Sequence, residues 1–100
     1  FDLNTEVSIG IPVTYSLSQN FPNPFNPSTT INFSIPENSK IDLKIFDMNG
    51  REVKTLINNE FRNADYYSLN VNLAGLSSGV YFYTLKGSNF IETKKMTLIK

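Results

Sequence analysis

Apolar and polar residues alternate along several short stretches of this chain, a pattern typical of half-buried β-strands. Apolar side chains occupy every second position from Ile31 to Ile35, from Ile41 to Ile45 and from Tyr67 to Val71. A more continuous apolar run extends from Val80 to Leu85, and no long stretch keeps a helical period. The pattern therefore predicts an all-β fold, an antiparallel β-sandwich of about seven strands.

The apolar positions that share one face of these stretches define the predicted core. They are Ile31, Phe33, Ile35, Ile41, Leu43, Ile45, Val53, Leu69, Val71, Tyr81, Tyr83 and Leu85. Polar residues and glycines predict turns at residues 36–39, 47–51, 58–60 and 87–89. Gly50 can take the positive φ that a tight hairpin turn requires.

A proline-rich stretch precedes the first clear strand. Pro22, Pro24 and Pro27 each follow a Phe or Asn residue. Because proline fixes its own φ and keeps the preceding residue out of the helical region, this stretch should be extended and stiff. Phe25 lies among the prolines, and we expect it to be buried beneath the loop and to close one end of the sandwich.

The chain has 100 residues, the size of one immunoglobulin-like sandwich. Its hydrophobic content of 40% is too high for a disordered tail. Nine basic residues balance nine acidic ones, so no overall field attracts nucleic acid or an anionic membrane. No apolar run approaches the ~20 residues that a membrane-spanning helix needs. We therefore expect one immunoglobulin-like domain with no nucleic-acid partner and no transmembrane segment.

The chain contains no Cys, His or Trp. This excludes thiol nucleophiles, Ser-His-Asp triads and zinc sites built from His or Cys. Asp47, Asn49 and Gly50 match the start of a calcium loop, but a plain hairpin turn is favoured. Arg51 and Lys54 stand where further oxygen ligands are needed. We expect no enzyme activity, no cofactor and no metal.

The aromatic residues in the second half of the chain permit two interpretations. Tyr66, Tyr67, Tyr81, Phe82 and Tyr83 could form a stacking platform for a sugar or a nucleic-acid base. The favoured interpretation is a core with a tyrosine corner. The spacing Leu-x-x-Gly-x-Tyr before Tyr81 would let its hydroxyl reach back to the preceding turn.

The final stretch of the chain is basic, with Lys94, Lys95 and Lys100 and no acidic residue after Glu92. Lysines on an edge strand protect a sheet against aggregation. They can also serve as a recognition feature, and the two roles are compatible. The apolar residues of this stretch, Met96 and Leu98 among them, should pack on the sheet.

Four motifs occur in order along residues 15–100. They are Pro22-Asn23-Pro24-Phe25, Asp47 with Gly50-Arg51, Gly79-Val80-Tyr81, and the terminal Lys95-Met96-Thr97-Leu98-Ile99-Lys100. In this order and spacing, the chain resembles the type A C-terminal sorting domain of the type IX secretion system. The resemblance implies an immunoglobulin-like sandwich at the end of a larger exported protein of the Bacteroidetes or their relatives.

The resemblance also implies partners and a site. An outer-membrane translocon would recognise the domain, and a signal peptidase at the cell surface would remove it from its upstream cargo. The protein would travel through the periplasm and be secreted or displayed on the cell surface. The implied recognition residues are Pro22, Asn23, Pro24, Phe25, Asp47, Gly50, Arg51, Gly79, Tyr81, Lys94, Lys95 and Lys100.

Residues 1–14 fall outside the family pattern. We expect them to be a linker, the end of a cargo domain, or an edge strand in which Val7 to Ile11 adds to a sheet. The leading hypothesis is a non-catalytic sorting domain. A second is an immunoglobulin-like subunit of an extracellular assembly that self-associates through residues 1–14, and a third is a carbohydrate-binding accessory module.

Overall fold

The computed structural model describes residues 11–100, and the described chain is built from strands, turns and loops alone. The strands are β1 (Ser16–Leu17), β2 (Ser28–Ile35), β3 (Ser39–Phe46), β4 (Glu52–Arg62), β5 (Asp65–Asn72), β6 (Gly79–Gly87) and β7 (Phe90–Leu98). The described residues thus contain no helix that could span a membrane. The proposed edge strand from Val7 to Ile11 lies almost wholly outside the described residues.

The strands form two antiparallel sheets. One sheet has the order β1-β2-β5, and the other has the order β4-β3-β6-β7. Their inner faces share one hydrophobic core, which confirms the prediction of an immunoglobulin-like β-sandwich with seven strands.

The core follows the alternation of the sequence closely. All the predicted core residues are buried except Val53 and Leu69, which are half-buried and pack against the core from its margin. These two residues therefore belong to the margin of the core, in the edge strands β4 and β5. Phe25, Met96 and Leu98 are buried as expected.

Strand β4 runs through the predicted turn at residues 58–60. It uses eleven residues to pair with the eight of β3, and the register shifts at three points along the pair. One shift lies beside Asn59, which has a φ of 50° and donates its backbone N–H to the Asp42 carboxylate at 2.7 Å. Bulges therefore absorb polar residues that the sequence pattern assigned to a turn.

The termini of several strands meet at one end of the sandwich. Phe46 pairs with Phe82, and Gly79 pairs with Leu98, so β3 and β7 end where β6 begins. In the other sheet, Ser28 at the start of β2 pairs with Asn72 at the end of β5. We call this the loop end. It comprises residues 18–27, the turn at residues 47–51, residues 73–78 and residues 97–100.

Candidate functional site

The proline-rich loop pairs with the last strand. The backbone N–H of Phe25 donates to the carbonyl of Thr97 at 3.0 Å, and the backbone N–H of Ile99 donates to the carbonyl of Phe25 at 2.9 Å. The amide oxygen of Asn23 accepts the backbone N–H of Thr97 at 3.0 Å. The Phe25 side chain is buried in the core, as the sequence predicts, so the loop is fixed both by its backbone and by its apolar anchor.

The two ends of the loop are tied together. Phe21 and Thr30 exchange backbone hydrogen bonds in an antiparallel bridge. Above that bridge, the buried amide of Asn20 donates to the carbonyl of Pro22 and to the hydroxyl of Thr29. The Thr29 hydroxyl in turn donates to the same Pro22 carbonyl at 2.9 Å. Buried polar groups must find partners, and here each partner holds the loop in one conformation.

Tyr83 connects the tied ends of the proline-rich loop to the centre of the four-stranded sheet. Its buried hydroxyl donates to the carbonyl of Ser18 at 2.7 Å and accepts the backbone N–H of Asn20 at 2.8 Å. Burial raises the pKa of Tyr83 to about 12, against the opposing effect of the Asn20 N–H. The alternation pattern predicts Tyr83 as a core residue. Its hydroxyl contacts, together with the buried Asn20 and Thr29, were missed because no local motif joins such distant residues.

Tyr81 forms the predicted tyrosine corner. Its hydroxyl donates to the carbonyl of Ser77 at 2.6 Å, four residues back along the chain. Between β6 and β7, Tyr81 pairs with Met96, and Gly79 pairs with Leu98. The corner therefore fixes the start of β6 where it supports the end of β7.

The turn at residues 47–51 is organised by one carboxylate. Asp47 accepts the backbone N–H groups of Asn49 and Arg51 and the guanidinium Nε of Arg51 at 3.2 Å. The hydrogen bond from the Arg51 backbone is the main reason that the pKa of Asp47 lies below its ordinary value, and the guanidinium adds to it. Gly50 has a φ of 82°, the positive value that the sequence predicts for this turn.

The three lysines of the last stretch do not form one patch. Lys94 pairs with the inward-facing Tyr83 and makes an ion pair with Glu92 at 3.1 Å, whereas Lys95 is exposed on the outer face opposite Phe82. Lys100 lies at the loop end, where its ammonium donates to the carbonyl of Ala74 at 2.8 Å. The three lysines therefore lie at separate places on the surface, because successive residues of a strand face opposite ways.

Most of the residues singled out in the sequence come together at the loop end. Pro22, Asn23 and Pro24 are exposed there beside Ile99, which is also about half exposed. The turn from Asp47 to Arg51 lies at the same end, two strand spacings or about 10 Å along the sheet from β7. Lys94 and Lys95 lie apart from this group, towards the middle of β7.

The aromatic residues do not form a common platform. Tyr81 and Tyr83 are buried, and Tyr67 stacks on the buried Phe33 with ring centroids 5.2 Å apart. Tyr66 is exposed on the outer face of the three-stranded sheet, whereas Phe82 belongs to the other sheet. The arrangement thus gives no support to the carbohydrate-binding hypothesis. Among residues 11–100, no group of three or more acidic, His or Cys side chains is placed to hold a metal ion.

Comparison with known proteins adds one finding. The family model of the secretion system C-terminal sorting domain matches residues 19–100, which include the proline-rich loop, Tyr81, Tyr83 and the last strand. No curated protein matches the chain.

Proposed function

Because this chain belongs to the family of secretion system C-terminal sorting domains, we propose that residues 15–100 are recognised through the loop end by the outer-membrane translocon of the type IX system. Such a domain is the sorting signal for type IX secretion, which takes proteins through the periplasm to the cell surface or the medium. In this proposal the domain is non-catalytic, follows a cargo domain in the same polypeptide, and is removed by a signal peptidase at the surface. Residues 1–14 then link the cargo to the sandwich.

The pairing of Phe25 with the last strand is the observation that carries this proposal. Through it, two motifs that are distant in the sequence form one rigid surface, with Pro22, Pro24 and Ile99 exposed. A translocon that accepts many cargoes needs a signal whose shape does not depend on the cargo. A loop fixed by prolines and buried hydrogen bonds meets that need, because little conformational entropy is lost when it is bound.

The other implied residues have supporting roles in this proposal. Gly79 and Tyr81 hold the start of β6 against the end of β7. Asp47, Gly50 and Arg51 shape the neighbouring turn, and Arg51 is exposed at its surface. Lys100 fixes the terminal residues to the loop after β5. These contacts give the loop end one shape.

Export of a reporter tests the proposal. Deletion of the last strand is a poor test, because Met96 and Leu98 are fully buried and their loss would unfold the domain. We therefore choose Ile99→Asp, which places a charge on the exposed surface beside Phe25. A reporter carrying the wild-type domain should reach the surface or the medium of a bacterium with type IX machinery, and the variant should accumulate in the periplasm.

Phe61→Asp is the matched control. Phe61 is 61% exposed, and it lies at the opposite end of the sandwich, opposite Lys40 at the start of β3. It should leave export unchanged. Recognition at the loop end would be contradicted if the Ile99→Asp reporter were exported normally while its domain unfolded at the wild-type temperature. It would also be contradicted if both variants had equal export defects.

A further inference from the structure

Only part of the β7 edge is covered by the proline-rich loop. Both backbone groups of Thr97 point away from β6 towards the loop, and the carbonyl of Lys95 accepts the Gln19 amide at 2.6 Å. In an antiparallel pair without bulges, the backbone N–H and C=O of every second residue point away from the partner strand. The backbone groups of Ile91 and Thr93 therefore point away from β6, as those of Lys95 and Thr97 do.

The first half of the edge lacks a hydrogen-bonded neighbouring strand within the described chain, although β1 passes near β7 and the Tyr15 ring stacks on Phe90 with centroids 4.8 Å apart. Among residues 11–100, no hydrogen-bond partner faces the outward backbone groups of Ile91 and Thr93 or the outward N–H of Lys95. These three residues span about 13 Å of strand. A strand added here would meet the side chain of Gln19 at Lys95, so the loop sets how far the added strand can extend.

The side chains beside this open edge define what would fit it. Ile91 is 67% exposed, and Lys86 lies directly opposite it in β6. Lys95 is exposed beside the half-buried Phe82. Within residues 11–100, neither Lys86 nor Lys95 makes an ion pair, whereas the inward-facing Lys94 is already paired with Glu92. Along β7 itself, the outer face is apolar at Ile91 and positively charged at Lys95, while β6 adds Lys86 beside Ile91 and Phe82 beside Lys95.

We propose that residues 91–95 of β7 are a docking edge for an extended acidic segment of the translocon, which adds to the sheet as an eighth strand. An apolar side chain of that segment lies opposite Ile91, and a carboxylate lies opposite Lys95. Main-chain hydrogen bonds give such an added strand its affinity, and the alternate side chains give its specificity. This inference rests on the proposed function, because it names the chemistry of the partner that reads the domain.

Charge and register favour an acidic partner over a second copy of this chain. Two copies paired antiparallel about Thr93 would set each apolar Ile91 against a Lys95 ammonium. Two parallel copies in register would set Lys95 beside Lys95, and like charges directly opposite each other destabilise a strand pair. Lysines on edges act in this way against self-association.

Binding of a probe peptide to the 100-residue chain tests the chemistry directly. The probe is a short acetylated threonine peptide with one valine and one glutamate four positions apart, in either order. The control peptide has lysine in place of glutamate. Nuclear magnetic resonance should show slower amide exchange at Ile91, Thr93 and Lys95 with the first peptide. The backbone amides of Glu92 and Lys94 already bond to β6, so their exchange rates should not change.

Three results of the peptide experiment would overturn the inference. The first is an absence of protection at the three outward amides, and the second is equal protection by the lysine peptide. The third is protection that depends on protein concentration without any peptide, which would assign the edge to a second copy.

Lys95→Glu should weaken binding of the glutamate peptide about threefold, the size of an exposed ion pair. The same charge reversal at Lys54, in the opposite edge strand, should leave it unchanged.

Reporter export then separates this inference from the proposed function. Thr93→Pro removes the outward N–H and blocks an added strand, and proline is tolerated on an edge where its missing N–H faces solvent. The control is Asn70→Pro in β5, whose backbone faces away from β2 by the same alternation. If Thr93→Pro and Lys95→Glu are exported normally while Ile99→Asp is not, the docking edge is wrong and recognition at the loop end stands. If all three are exported, both proposals are wrong.

Discussion

Phe25 and Leu98 form a parallel β-bridge that joins the proline-rich loop to the last strand. The loop leads into β2 of one sheet, and Leu98 ends β7 of the other, so the bridge closes the sandwich at the loop end. Both side chains are buried in the shared core. The loop is therefore part of the folded structure, although Pro22, Asn23 and Pro24 remain exposed.

Phe25→Ala should destabilise the domain strongly. The substitution removes a side chain that is only 1% exposed, and loss of a buried aromatic residue costs about 3–5 kcal/mol of unfolding free energy. Phe21→Ala is the control, because Phe21 belongs to the same loop and is 79% exposed. Urea denaturation should give a lower midpoint for the first variant and a nearly unchanged midpoint for the second. Equal midpoints for the two variants would mean that Phe25 does not anchor the loop.

The sequence predicts the sandwich well where a strand has neighbours on both sides. Ile41, Leu43 and Ile45 lie in a central strand, and strict alternation identifies all three as buried. Alternation fails in β4, because its bulges break the period of two and place Asn59 inside a strand. A bulge depends on pairing with a distant strand, so the local sequence of β4 contains no signal that fixes its position.

Tyr83→Phe should lower the stability of the domain at neutral pH. The substitution leaves the carbonyl of Ser18 and the N–H of Asn20 without their buried partner, which should cost about 2–4 kcal/mol. Tyr66→Phe is the control, since the Tyr66 side chain is 60% exposed. Guanidinium denaturation at neutral pH measures both variants. A Tyr83→Phe domain as stable as the wild type would show that the hydroxyl contributes nothing.

The difference in stability between the wild type and Tyr83→Phe should depend on pH. The pKa of Tyr83 is raised from its ordinary value of 10.0 to about 12 in the folded protein, so folding favours the protonated phenol. The stability that Tyr83 contributes is therefore complete below pH 10.0 and is lost as the pH rises towards 12. The stability difference between wild type and Tyr83→Phe should shrink by about 1 kcal/mol for each pH unit in that window. A difference that stays constant across the window would contradict the raised pKa.

Gly50→Ala should destabilise the turn at residues 47–51. Gly50 has a φ of 82°, which an alanine adopts only with strain, and the expected cost is about 1 kcal/mol. Gly75→Ala is a matched control, because a Cβ at either glycine would meet no atom within 4 Å and only Gly50 has a positive φ. Thermal unfolding should separate the two variants by a few degrees. If both melt together, backbone conformation is not the reason for glycine at position 50.

The candidate site was harder to predict than the fold. Its exposed members, Pro22 and Pro24, are visible in the sequence because proline has a strong local effect on the backbone. The residues that hold them in place are not visible in the same way. Asn20 and Tyr83 are far apart in the sequence and meet only after both sheets have formed. Similarly, adjacent lysines at positions 94 and 95 read as one basic patch until the strand places them on opposite faces.

Pro24→Gly should impair recognition more than it impairs folding. Pro24 is exposed beside Phe25, and replacement by glycine frees the backbone of the unfolded chain at a cost of about 0.4–1 kcal/mol. The folded loop would keep its anchor at Phe25 but would lose rigidity in the exposed part that the translocon meets. Pro36→Gly is the matched control, because Pro36 follows β2 at the opposite end of the sandwich and should lose similar stability. Export of a reporter should fall markedly for Pro24→Gly and remain near the wild-type level for Pro36→Gly, with unfolding midpoints measured for both. Equal export at equal stability would mean that the proline loop serves folding alone, and recognition would then have to depend on the terminal residues themselves.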